Sequence, residues 1–414
     1  MIRTIDTRRT TMGAAMLGLL LPVLGAAAEE PAWLAEARAR EGKLVDARSF
    51  KSKDGVLTGQ VPGKLRNKVV LEDQVYYVEV DIGTDTPVSC EVLVEGFDLA
   101  RMLRSTANLT FERLAELQGA VDAKTVERVD AGVMGANAYI AVDWVYRTQT
   151  SKGPMLGGLK QVAVDMHSYG VYCSHVDLGY ARTFASVVQT LVGSLRYADA
   201  PAAPDFLEVQ TLRLGDQPVG VATWKLETDA DGDVRSLLAN SMFVPAAEGA
   251  VTAQDTVHVQ WMKPDGRMLN AMHVSSSNDE TQTQLELRPA ADSEKWRVSG
   301  TFMGKPLEAD LGEETPASVL TQARLRRDLL ADSSPVGKKL TDQSWTSADP
   351  TRLLTTTFTV TGRDATGRFT ATEVSGPLKV EEVLDAATGT PLRMTMAVGP
   401  ASLLLERVYV SGTL

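Results

Sequence analysis

Hydrophobic and polar positions follow two different rhythms along this chain. Phe184, Val187, Val188, Leu191 and Leu195 recur at helical spacing, with Thr183, Ser186, Gln189, Thr190 and Ser194 on the other face, so a helix closes the first half. The stretches 76–82 and 140–147 alternate with period two instead, which predicts half-buried strands. Between them Asp98 is placed as the N-cap of one helix, or of two broken ones, ending near Gly119. Strands dominate from 206 onward: 206–214, 219–227, 237–244, 256–262, 268–275, 283–287 and 296–302, divided by turns such as Asp231-Gly232-Asp233 and Pro264-Asp265-Gly266. Thr315 and Pro316 predict the N-cap and first residue of a helix over 316–331, and a further β set ends at 401–411.

Runs of strands separated by helices, without regular alternation, predict an α+β chain. The expected layout is an N-terminal arm or short helix over 29–43, an antiparallel α/β sandwich domain over 44–197, a linker at 198–205 marked by Pro201 and Pro204, and a β-rich, clamshell-like or sandwich region over 206–414. At 414 residues the chain exceeds one ordinary core, since domains cluster at about 100 to 150 residues. The strand-helix-strand-helix order, with Ala138-Tyr139-Ile140-Ala141-Val142-Asp143-Trp144 and the apolar run Val187 to Leu195, resembles the PsbP-like α/β/α sandwich family. That resemblance implies a fold that binds or scaffolds, and carries no functional residue over.

The stretches 265–272 and 388–396 both run from a glycine turn through Leu into alternating Met. Two ordinary hairpins would account for this. Taken as a repeat, they make 206–414 two half-sheets joined by helix 316–331, a layout similar to the clamshell half-barrels of periplasmic lipoprotein-localisation carriers and to the extracytoplasmic β modules that accompany transglutaminase-like proteins.

The first 28 residues add an address. Arg3, Arg8 and Arg9 precede an apolar run from Gly13 to Leu24 that ends in Ala26-Ala27-Ala28, the order of a secretory signal cleaved near Ala28. The run is too short to span a bilayer, and no transmembrane segment is expected later. A periplasmic or secreted protein follows, by the general secretory route or, on Thr7-Arg8-Arg9-Thr10, a twin-arginine route. The chain carries a formal net charge of −11, and the signal holds three arginines and one aspartate, so the remainder is more acidic still. Such a surface repels phosphate, which argues against nucleic acid as partner.

Cys90 and Cys173 are the only cysteines, and export places them where thiols are oxidised, so a disulfide is predicted. Cys173, His175 and Asp177 share one face if they lie on a strand, the residue set of an activated thiol. Neighbours on such a face sit roughly 6 to 7 Å apart, loose for hydrogen bonds, and a bridge would consume the nucleophile. Asp165 and His167 on the preceding strand join them in a reactive or N/O metal cluster only if the intervening turn has the right register. Asp229, Asp231 and Asp233 lack the sixth-position glycine and twelfth-position glutamate of a calcium loop and read as a hairpin turn. Arg324, Arg326 and Arg327 read as a solvated helix face.

Trp224, Trp261, Trp296, Met272, Met394 and Met396 concentrate large, soft apolar groups in the β region, either as core or as a surface for an apolar ligand. No phosphate loop, serine elbow, H-E-x-x-H or C-x-x-C occurs, and no cofactor is implied. The sequence therefore predicts an exported, non-catalytic binding or scaffolding protein of the envelope, its partner an apolar small molecule, a lipoprotein or another envelope protein. A thiol- or His-dependent hydrolase or transferase, and a structural partner pairing through strand edges, are the alternatives.

Overall fold

The computed structural model of this chain describes residues 31–44, 46–94, 98–246, 249–291, 295–399 and 401–414. The export signal expected over 1–28 lies outside the described residues. The amino-terminal part holds α1 (Ala32–Arg38), β1 (Arg48–Lys51), β2 (Leu57–Val61), β3 (Lys64–Leu65), β4 (Leu71–Glu72), β5 (Val75–Asp81) and β6 (Val88–Leu93). Then come α2 (Leu99–Gln118), β7 (Val121–Met134), β8 (Asn137–Thr150), β9 (Gly153–Asp165), β10 (Gly170–His175), α3 (Ala181–Ser194) and β11 (Arg196–Tyr197). Strands β1, β2 and β11 form a small sheet, and the others form an antiparallel sheet in the order β3-β5-β6-β10-β9-β8-β7, with β4 on β5.

Period-two patterning gives the larger sheet two apolar faces. Val78, Val80, Cys90, Val162, Val164 and Cys173 meet Val187, Val188 and Leu191 of α3 on one side. Ile140, Val142, Trp144, Leu159, Ala163 and Tyr172 meet Leu103, Ala107 and Phe111 of α2 on the other. Helix α3 lies where the sequence predicts it, except that Thr183 is buried rather than solvent-facing, because Glu41 accepts both its backbone N–H and its hydroxyl. Cys90 and Cys173 are directly paired across β6 and β10 and are disulfide-bonded.

The remainder contributes β12 (Phe206–Leu214), β13 (Gln217–Thr228), β14 (Val234–Pro245), β15 (Val251–Met262), β16 (Met268–Ser277), β17 (Glu280–Pro289), β18 (Trp296–Phe302) and β19 (Lys305–Gly312). After α4 (Val319–Leu330) come β20 (Lys339–Ser344), β21 (Leu354–Arg363), β22 (Phe369–Ser375), β23 (Leu378–Leu384), β24 (Pro391–Val398) and β25 (Ala401–Gly412). Two half-sheets are not what forms. Antiparallel pairing of β12 with β25 merges both meanders into one 14-stranded sheet whose ends are β19 and β20. Helix α4 starts at Ser318, not at Thr315-Pro316, because the Ala317 N–H donates to the Gln343 carbonyl while the Ser318 hydroxyl caps the Thr321 N–H.

This sheet curls around α4. The N-terminus of the helix takes Gln260 of β15 on the Val319 N–H, and Leu330 at its far end packs on Phe358, Val360 and Phe369 of β21 and β22. Eight strand spacings separate β15 from β21, which in a flat sheet is about 38 Å, whereas twelve helical residues span only about 18 Å. The inner face therefore wraps the helix. Trp345 closes the seam, packing with Trp296, Met268 and Leu285 from the opposite end of the sheet.

The outer face of the same sheet carries the amino-terminal part. Leu207, Val209, Val221, Phe243 and Ala253 belong to one core with α2 and β8, so the two parts share a continuous apolar contact. Asp98 stands at the N-cap position of α2 as expected, yet its side chain makes no capping hydrogen bond. Asp255 of β15 does that work across the contact, accepting from the Ala100 N–H at 3.2 Å and the Arg101 N–H at 2.8 Å. A second link is the ion pair between buried Lys225 and Asp165, at 2.9 Å.

Candidate functional site

Between α4 and the inner face lies a cavity of about 360 Å³. Alternation along β12 to β14 and β23 to β25 aims one residue in two at it. Ala222, Trp224, Leu238, Met394 and Leu405, with Val319 and Ala323 of the helix, give an apolar wall. Glu208, Gln210, Asn240, Glu373, Glu382 and Arg326 give a polar one.

The two glycine turns singled out by the Gly-Leu-Met likeness grip this helix from opposite sides. A Cβ on Gly266 would stand 2.3 Å from the Thr321 hydroxyl, and one on Gly389 would stand 2.2 Å from the Ala323 carbonyl oxygen. Both glycines have positive φ, 91° and 73°, which a side chain would resist as well. Residues without a Cβ are what let the turns close on α4.

Buried charge is the cavity's main chemical feature. Glu208, 3% exposed, accepts from Gln210 Nε2 at 2.7 Å, from the Thr390 hydroxyl at 3.0 Å and from Arg407 at 3.4 Å. Burial nevertheless pushes its carboxyl up, against those three partners. Arg407 also donates to Asp385 at 2.6 Å. Arg326 reaches back from α4 to pair with Glu373, touches Glu382 at 3.4 Å and lies 4.6 Å over the Phe358 ring. Burial pushes Glu382 up to about 7, with Arg326 opposing the rise and Glu373 adding to it.

The structure corrects the expectation of a solvated arginine face. Arg326 is largely enclosed because the helix turns that side to the sheet, while Arg324 donates to the Pro264 carbonyl and Arg327 to that of Leu414.

Nor do the six apolar candidates form one surface. Trp224 and Met394 line the cavity, with the Trp224 Nε1 donating to the Ser236 hydroxyl, and Met396 packs beside Met394 against Leu212 and Leu405. Trp296 belongs to the seam cluster. Trp261 and Met272 lie on the outer face, in an open groove with Asn270 and Glu286. Strand parity separates them: Met262 points inward, so Trp261 must point out.

Cys173, His175, Asp177, His167 and Asp165 are not assembled into a reactive or metal cluster. The sulfur is bridged, and His175 Nδ1 lies 3.1 Å from the Pro87 carbonyl. Its imidazole is shifted down by burial, as is that of His167, where Lys225 adds to the effect. Asp177 accepts from Arg40 and the Gly179 N–H. The turn between β9 and β10 pairs Asp165 with Gly170 and Cys173 with Val162, which sets Asp165 on the face opposite Cys173. Asp229 accepts from the N–H groups of Asp231 and Asp233, an ordinary polar hairpin turn.

Sequence reasoning missed Glu208, Glu373 and Glu382, and placed Arg326 on the wrong face. One signal was available: in Phe206-Leu207-Glu208-Val209 and Val380-Glu381-Glu382-Val383 a carboxylate occupies a position of the same parity as an inward apolar residue.

No known protein family matches the chain, and no curated protein does. Among solved structures, the chain is similar to a β-barrel-like protein of a domain of unknown function, DUF1849, from Brucella abortus, with 14% identity and a TM-score of 0.39 over 51% of this chain and 99% of that one. Neither the PsbP-like nor the carrier resemblance gains support from these comparisons. No helix among the described residues is long and apolar enough to cross a membrane.

Proposed function

We propose that this is an exported, non-catalytic binding protein of the cell envelope, and that its ligand occupies the cavity under α4. The observation that carries this reading is a partly open cleft of about 360 Å³ with an apolar wall facing buried carboxylates, at the lower end of the size range of small-molecule sites. The secretory pattern of the first residues, the Cys90–Cys173 bridge and the absence of a spanning helix among the described residues fit export. In this reading the part over 44–197 is a scaffold fixed to the outside of the 206–414 container. A bridged sulfur and a histidine committed to a backbone carbonyl favour binding over thiol chemistry. Edge strand β19, with Lys305, Pro306, Glu308 and Asp310, is poorly suited to pair with another chain.

Native mass spectrometry of protein purified from its export compartment, with organic extraction of the bound material, tests this. A discrete small molecule is expected, and its yield should fall when Ala222→Leu reduces the cavity. Protein free of any added mass, from the unmodified chain, would overturn the reading.

A further inference from the structure

We infer that the cavity takes a small organic cation, a primary ammonium with an apolar body, whose charged end rests on Glu382. This builds on the reading of the cavity as a ligand site. The charge count leads to it. Among the described residues, Glu208, Glu373, Glu382 and Asp385 share only two guanidinium groups, Arg326 and Arg407. Three of the four carboxylates are well served: Glu208 by three donors, Asp385 by Arg407, and Glu373 by Arg326.

Glu382 is not. It is 4% exposed, its Oε2 has a single 3.4 Å contact from Arg326, and its Oε1 has no hydrogen-bond partner among the described residues. A carboxylate held this way, largely shielded from water and half-paired, is costly unless a donor arrives. An anionic ligand would meet three carboxylates around one guanidinium that is already engaged. An ammonium group instead supplies up to three donors and the missing positive charge. Trp224, Leu238, Ala323 and Leu405 then cover an alkyl or aryl body.

Protonation fits the same picture. With burial raising Glu382 to about 7, arrival of a cation shifts the group to its ionised form and releases a proton. The charged groups around it are Arg326 from α4, Glu373 from β22 and Glu208 from β12, with Asp342 of β20 also acting on Arg326.

The test is titration calorimetry on the whole mature chain with n-octylamine, 1-octanol and octanoate. At pH 8 the amine is expected to bind at least about tenfold more tightly than the alcohol, as a charge-assisted hydrogen bond in a buried site gives, and octanoate is expected not to bind. Glu382→Gln, of the same shape, should bring amine and alcohol to within about threefold of each other. In the unmodified chain, amine affinity should climb from pH 6 and level off near pH 8 while alcohol affinity stays flat. Equal binding of amine and alcohol would overturn the cation inference and leave the ligand site standing. Failure of all three probes, with no response to Ala222→Leu, would remove the ligand site and this inference together.

Discussion

Replacing Asp255 by Asn isolates the electrostatic cost of joining the two parts of the molecule. The Asp255 carboxylate is 3% exposed and holds the Ala100 and Arg101 N–H groups and the Ser241 hydroxyl, but burial, with nearby Asp98 adding to it, raises its pKa to about 6 from an ordinary 3.8. A carboxyl raised on folding binds its proton more tightly in the native state. Its contribution is complete below about pH 4 and is lost as pH rises through 6, a change of about 3 kcal/mol. Asn is neutral throughout and keeps one acceptor oxygen. In urea unfolding between pH 4 and 7.5, the wild type should therefore lose about 2.5 kcal/mol relative to Asp255→Asn, whose own profile retains only the slopes of other groups. Asp255→Ala should instead cost about 2 to 4 kcal/mol already at pH 4, because two buried helix-terminal donors are left without an acceptor. Parallel pH profiles for wild type and Asp255→Asn would refute the argument.

Three further outcomes are expected. Reducing the disulfide, or converting Cys90 and Cys173 to Ser, should lower stability by up to about 4 to 5 kcal/mol, since the bridge closes an interval of 83 residues in the unfolded chain; equilibrium unfolding with and without reductant reads this. Lys225→Met strands Asp165 at the contact between the two parts and should cost about 3 to 5 kcal/mol, most of which Asp165→Asn in the same chain should restore when melting temperatures are compared. Gly389→Ala places a methyl group against the Ala323 carbonyl at a positive φ, so α4 should loosen; limited proteolysis should then cut within 313–338 sooner than in the wild type.

Strand existence was readable wherever alternation was regular: β12 and β18 match their expected spans, and α3 follows its 3.6-residue pattern. Facing was not. Trp261 and Met262 are equally apolar in sequence, and only pairing with β14 and β16 decides which one enters the interior. The start of α4 shifted for a similar reason, since Thr315-Pro316 is a sound local cap while Ser318 wins through its bond to the Gly266 carbonyl, 52 residues away. Asp255 illustrates the limit most clearly. Nothing near it in sequence announces that it caps a helix begun some 150 residues earlier. The cavity's carboxylates were hidden too, because a Glu in a strand reads as solvent-facing until strand pairing and α4 show which face of the sheet turns inward.

The pairing of β12 with β25 has a bearing on how the chain reaches this shape. Phe206 lies opposite Gly412, so the middle of the large sheet is completed by two strands from its most distant points. Contacts of such separation slow folding. Until β25 docks, β12 and β24 both present raw hydrogen-bonding rims, and α4 has a partner wall on only one side. The nascent protein thus passes through a sticky stage whose duration is set by the arrival of one strand, and any lesion in β25 that delays it should appear as aggregation well before it appears as a loss of native stability.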